Sequence, residues 1–342
     1  MRALGTTGLG IALAFAFSLA ATAQTVAVPA RGQTVPVGTV ADDAADDPAI
    51  WRDPRNPERS LIVGTDKKAG LHVYRLSGES VHFTAAGRVN NVDLLDLGAR
   101  GVLVVASDRN DPAQALLKLY RLDTRRGALI PLGETGGGAG EAYGVCLAVL
   151  AREIHAFSVL KDGQIVQVRL DLTKAGALGT PVRTLRVPSQ AEGCVVDPRT
   201  GALYVGEEAA GVWAFDARPG GTAEGRLAIR IDNVQLTADV EGLALLPEGR
   251  TRGWLVVSSQ GDNAYALYRL PDLAPAGRFR IAGGPIGATE ETDGIALASG
   301  RFSRTYPDGL FVAQDGNNAP DAQNFKLASW AEILQAVRAA AP

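Results

Sequence analysis

Acidic side chains recur along this sequence in one local pattern. Asp47, Asp93, Glu192, Glu241 and Asp293 each lead into a short apolar run, Tyr143 holds the same place in a further unit, and the spacing is 46 to 52 residues. Other polar groups crowd the same starts: Asp46, Asn90, Asn91, Glu141, Asp239, Glu290 and Glu291. A second set closes the next apolar run of each unit: Asp66, Lys67, Lys68, Asp108, Arg109, Lys161, Asp162, Glu207, Glu208, Gln260, Asp262 and Asp315. Carboxylates brought together repel one another unless cations lie between them. The donors are hard oxygens with no His or Cys among them, which points to calcium, an ion that takes roughly 6–8 oxygen ligands in loose geometry. Lys67, Lys68, Arg109 and Lys161 stand among the acids, and several calcium ions beside fixed cations suit a ligand carrying several phosphates. One Asp or Glu beside Gly reads equally well as a solvated turn residue. Recurrence in all six units is what points to ions.

That chemistry requires the two sets to meet. The unit is clearest at Ala191 to Asp216, where Cys194 to Val196, Leu203 to Val205 and Val212 to Phe215 are short apolar runs separated by Asp197-Pro198-Arg199-Thr200-Gly201 and by Gly211. Runs of this length bounded by Gly, Pro and Asp are strand signals. Six such units fill the chain from Asp46 onward, each with three clear strands and room for a fourth. A period near 50 residues predicts an all-β, six-bladed β-propeller of four-stranded antiparallel blades. A β-sandwich accounts for neither the period nor the length. One blade cannot bury both faces of its sheet, so blades pack in a ring. The segment at Val35 to Val40 is expected to pair with the last blade and close the circle. The first two strands of a blade form an antiparallel hairpin, so first-strand starts and second-strand ends gather on one face, around one mouth.

Bulk properties narrow the partners. The formal net charge of −3 implies no surface for nucleic acid. Arg2, the apolar stretch Leu9 to Ala20 and Ala21-Thr22-Ala23 read as an export signal cleaved near Ala23. The expected organisation is a signal peptide over 1–23, a closure segment over 24–38 and the propeller over 39–342. The mature protein is expected to be secreted or periplasmic, monomeric and without a membrane span. In the repeat alignment Cys194 falls opposite Val145, one residue out of step with Cys146, so the two cysteines are expected to face apart as buried free thiols. Other phosphatase chemistries find no support. The Cys146 to Arg152 spacing encloses an apolar strand without phosphate-cradling glycines, and none of the three histidines stands in an R-H-G context. His72 and His155 fall inside strands and read as packing residues.

The fragments D-D-P-A-I-W, N-N-V-D, E-A-Y-G, Q-A-E-G, D-V-E-G-L, S-S-Q-G-D-N and G-L-F-V-A-Q-D-G, followed by Q-N-F-K, occur in that order between Ala45 and Trp330. Together they resemble the β-propeller phytases. The resemblance implies calcium dependence and stepwise hydrolysis of myo-inositol hexakisphosphate, free or as its calcium salt. It implies that Asp46, Tyr143, Glu192, Glu208, Asp239, Glu241, Gln260 and Asp293 hold active-site calcium ions, directly or through water. Lys67, Arg109 and Lys161 match the cations that grip phosphate. Asp47, with the carbonyls of Pro48 and Val92, matches a calcium site bracing the first two blades. Asp162 stands where a longer Glu is expected, and Gly287 where an Asp is frequent, so one structural calcium is either lost or held by Glu290 and Glu291. The competing readings are a calcium-dependent propeller lactonase, which needs no set of phosphate-gripping cations, and a non-catalytic periplasmic binding propeller.

Overall fold

A computed structural model describes residues 24–40, 43–173 and 178–340. The expected export signal lies outside them. Six antiparallel sheets of four strands follow one another around a central channel. Blade one comprises Ala45–Trp51, Leu61–Asp66, Gly70–Arg75 and Ser80–Ala85. The inner strands of blades two to six are Val89–Asp96, Ala142–Leu150, Ala191–Asp197, Val240–Glu248 and Ile295–Ser299. The expected propeller is therefore the observed one.

Two-residue alternation explains the ring. On the second strand of blade two, Val102 and Val104 pack toward blade one while Leu103 and Val105 pack toward blade three. Among the described residues, each of the six seams has its own apolar cluster. A fully buried side chain such as Leu103 contributes about 1.5–3 kcal/mol by leaving water.

Closure falls slightly earlier in the chain than expected. Gly32–Gln33 is the outer strand of blade six, pairing with Leu327 and Lys326. Backbone bonds from Thr34 and Val37 to Phe325 and Gln323 continue the contact. Thr25–Val28 adds a fifth strand to blade five, running parallel to Ala274–Ile281. A C-terminal helix, Trp330–Ala340, buries Trp330, Ile333 and Val337 against blades five and six. Its Glu332 receives two bonds from Arg31 at 2.7 and 2.8 Å. No helix among the described residues is long and apolar enough to cross a membrane.

The expectation of two free thiols is overturned. Cys146 and Cys194 form a disulfide with Cα atoms 5.7 Å apart. Consecutive blades meet through opposite faces of the repeat. A one-residue offset between neighbouring inner strands therefore turns two side chains toward each other. The alternation rule was sound within one sheet; applied across a seam, its consequence reverses.

Candidate metal and phosphate site

Each of the first five inner strands carries a bulge near its start, between Ala45 and Pro48, Val89 and Val92, Ala142 and Val145, Ala191 and Cys194, and Val240 and Leu243. A bulge re-aims the side chain at the extra residue. The register places Asp46, Asn90, Tyr143, Glu192, Glu241 and Asp293 in equivalent positions around the channel mouth. This corrects the sequence alignment in two blades: Asp46 and Asn90, not Asp47 and Asp93, belong to the ring. Those two blades repeat the polar residue, as Asp46-Asp47 and Asn90-Asn91, where later blades place Gly second. Gly144 and Gly193 are required there, because a Cβ on either would run into the carbonyl oxygen of Glu192 or Glu241 on the next blade.

An outer ring stands beside the inner one. The backbone N–H groups of Lys67, Arg109, Lys161, Glu208, Gln260 and Gly316 donate to the carbonyls of Ala44, Arg88, Glu141, Gln190, Asp239 and Glu290 at 2.7 to 3.1 Å. The expected gathering on one face is thus observed, and it is polarised. In the outer ring blades one to three contribute Lys67, Arg109 and Lys161 and blades four to six Glu208, Gln260 and Gly316, while Asp46 of blade one and Glu141 of blade three set acids beside the cations.

On the acidic side, Glu192, Glu208 and Glu241 each bring a carboxylate oxygen within 4.8 Å of the other two. Glu192 and Glu241 are buried, and one oxygen of Glu241 has no hydrogen-bond partner. Burial first, then repulsion from Asp46 and Glu241, holds the Glu192 pKa well above the carboxylate range. Burial, Asp293 and Glu208 do the same to Glu241. Such a cluster accommodates ionised side chains only with a cation between them. The donors are all oxygen, so the cradle fits a hard divalent cation.

Lys67 bridges this cluster to blade one. Its ammonium lies 2.9 Å from Asp293 and 3.1 Å from Asp46, and also pairs with Asp43. Asp46 is fully buried, and that burial pushes its pKa up to about 8 against the pull of Lys67. Gln260 donates to Asp293 at 2.6 Å. Arg109 pairs with Glu141 at 2.6 Å and donates to Asn90, whose amide in turn donates to Glu192 at 2.9 Å. Arg109 and Lys161 lie 5.3 and 5.2 Å from the Tyr143 ring centroid, a cation–π arrangement with two cations. Asp239 is exposed and close enough to Glu208 to raise its pKa, after burial.

Asp47 is placed elsewhere. Its buried carboxylate accepts the Val92 N–H at 3.1 Å, linking blades one and two beside Pro48. Burial and Asp46 raise its pKa strongly. Asp93 accepts the N–H groups of Leu94 and Leu147, both at 2.7 Å. Asp162 turns away from the mouth. It accepts the backbone and side-chain N–H groups of Gln164 and lies 3.5 Å from Arg186. Asp66, Asp108, Glu207 and Asp315 also turn aside, pairing with Thr39, Lys118, Trp213 and Lys326. Asp162→Asn is accordingly expected to change activity less than about twofold and stability by less than about 0.5 kcal/mol, as an exposed substitution does; steady-state kinetics and thermal melting check it.

Two functional partners escaped the sequence reading. Gln190 donates to Glu208 at 2.7 Å and to the Tyr143 hydroxyl at 3.4 Å. Asp43 precedes the first repeat, so the period gives no signal for it.

The fold and site define a six-bladed propeller that sets three glutamates against three cations at one channel mouth, an arrangement suited to metal-assisted phosphate chemistry. A family model for phytases matches residues 5–341. A curated 3-phytase of Bacillus subtilis (strain 168) is 37% identical over 325 residues, covering 90% of this chain and 85% of that protein. The chain belongs to the phytase family. Among solved structures, one of BBS1N in complex with ARL6DN, soaked with mercury, matches with a TM-score of 0.46 and 13% identity over 78% of this chain and 74% of that one, a likeness too distant to carry an argument.

Proposed function

We propose that this chain is a calcium-dependent 3-phytase, a phosphomonoesterase that removes phosphate stepwise from myo-inositol hexakisphosphate, free or as its calcium salt. The observation that carries this reading is the meeting of Glu192, Glu208 and Glu241 with Lys67, Arg109 and Lys161 at one rim. Glu192, Glu208, Glu241, Asp46 and Asp293 hold several calcium ions, with Asp239, Gln260 and Tyr143 completing their surroundings. Asp47, with the carbonyls of Pro48 and Val92, holds a further ion that braces blades one and two. Bound calcium supplies charge neutralisation, a Lewis acid for the phosphoryl oxygen and a lowered pKa for water.

The protein's own groups do the rest. Lys67, Arg109 and Lys161 bind phosphoryl oxygens and stabilise the charge that builds there as water attacks phosphorus in line. Asn90 couples the two halves, because one amide contacts both Arg109 and Glu192. Gln190 orients Glu208. No covalent enzyme intermediate is required. We place the mature protein, as a monomer, in the periplasm or outside the cell after cleavage near Ala23.

The test is phosphate release from phytate by the mature chain with calcium and after exhaustive chelation, at pH 7. Release that survives chelation overturns the reading. Lys67→Ala and Arg109→Ala are each expected to cost about 100-fold in kcat/KM on phytate, the scale on which one charge-stabilising donor acts. A lactonase would tolerate both, and a binding propeller would release no phosphate from the start.

A further inference from the structure

We propose that the Cys146–Cys194 disulfide is a positioning element for the metal cradle, so that the affinity for divalent cations depends on the redox state of this pair. The inference rests on the metal reading above.

The bond joins the inner strands of blades three and four. Tyr143 lies on the first of these strands and Glu192 on the second, three and two residues from the bridged positions. The bond therefore sits directly behind two members of the inner ring. Other seams near the mouth are tied by hydrogen bonds. Asp47 accepts from Val92, Asp93 from Leu147, the Asp293 carbonyl from Gly242, and the Asp46 carbonyl from Gly294, at 2.7 to 3.1 Å. The seam between blades three and four is the one closed covalently. There the cationic half of the rim, ending in Lys161 and Tyr143, meets the acidic half, beginning with Glu192 and Glu208.

Electrostatics gives the bond a task. Without a cation, Glu192, Glu208 and Glu241 repel one another, and blade four carries two of the three. Repulsion from Glu241 of blade five and from Asp46 across the mouth drives blade four outward. A covalent tie close behind Glu192 resists that movement, holding the oxygens at the separation that a cation needs. Pre-organisation of this kind raises affinity by removing the cost of gathering the ligands at binding. Cys194 is only partly buried and lines a cavity of about 260 Å³ on the central channel, which gives a small dithiol a route toward the bond. A small dithiol entering there reduces it by exchange: the dithiol gives up two electrons and two protons to become a cyclic disulfide, and Cys146 and Cys194 become thiols.

The experiment is calorimetric titration of the metal-free protein with calcium chloride, without substrate and well below the melting temperature. Three samples are compared: wild type, wild type reduced by dithiothreitol with its thiols then blocked, and Cys146→Val/Cys194→Ala, which keeps the seam apolar without the bond. The expected result is a native far-UV spectrum in all three, and a calcium Kd raised about 3- to 10-fold in the two unbridged forms. At saturating calcium, kcat on phytate is retained by the double variant. A Kd within twofold of wild type in a folded unbridged sample, whatever happens to Tm, overturns the proposal and leaves the bond a simple staple. Loss of the native fold in both unbridged samples overturns it too, since the bond would then serve folding. Wild type that binds no calcium instead removes the metal reading, so the two failures are distinguishable.

Discussion

Glu192→Gln is expected to melt at a higher temperature than the wild type when both are metal-free, and at a lower temperature when both are saturated with calcium. The crossing follows from where Glu192 sits. It is buried between Asp46 and Glu241, and both raise its pKa. A glutamine keeps an oxygen for the Asn90 amide, now 2.9 Å away, and removes one charge from the crowd. The metal-free form therefore gains. Saturating ligand stabilises by about 2.7 kcal/mol at 100 times its Kd, and the variant forfeits most of that increment with its lost affinity. Phytate hydrolysis is expected to fall by more than about 100-fold, beyond the 10–100-fold cost of removing a residue that merely supports a metal ligand. Differential scanning calorimetry with and without calcium, followed by phosphate release, provides the check. A variant less stable than wild type in both states would show that Glu192 supports the fold rather than an ion.

Much of this site could be read from the chain because its logic is periodic. Six units, each beginning with an acid or its stand-in, place the inner-ring residue correctly in four blades, one position late in blade one and three positions late in blade two. The failures share a cause. The period puts Asp47 and Asp93 level with Glu192 because blades one and two offer several polar residues at the strand start, Asp46-Asp47 and Asn90-Asn91-Val92-Asp93, and spacing alone does not say which of them faces the mouth. The disulfide was missed because the alternation of side chains describes one sheet, whereas Cys146 and Cys194 face each other across two. Asp162 was placed with the site by adjacency to Lys161, yet successive residues of a turn point in different directions, and its oxygens are taken by Gln164. Closure by Gly32–Gln33 and the strand Thr25–Val28 lie outside the repeat, where periodicity says nothing.

The metal-free protein is expected to lose stability as the pH rises from about 4 to about 8, and calcium is expected to reverse that trend. Asp46 has its folded pKa pushed up to about 8 by burial, and burial brings Asp93 to about 7. Glu192, Glu241 and Asp47 are raised well above their ordinary values for the same first reason. In the unfolded chain these groups titrate near 4. Between the two ranges the folded state binds more protons than the unfolded state, so each rise in pH favours unfolding, by up to about 1.4 kcal/mol per unit for each excess proton. His72 and His155, held below the ordinary imidazole value by burial, oppose this trend below about pH 7 but are two groups against five. Lys67 does not oppose it. Its pKa is raised above that of an ordinary lysine, so its contribution is already complete below about 10 and is lost only above that. A bound divalent cation prefers the ionised carboxylates, so binding strengthens with pH over the same window. Melting temperatures at pH 5 and pH 8, each in chelator and in excess calcium, should therefore change order: higher at pH 5 in chelator, higher at pH 8 in calcium. If the chelated protein melts at the same temperature or higher at pH 8, the buried carboxylates at the mouth are not held short of compensating charge, and the electrostatic case for a resident cation is lost.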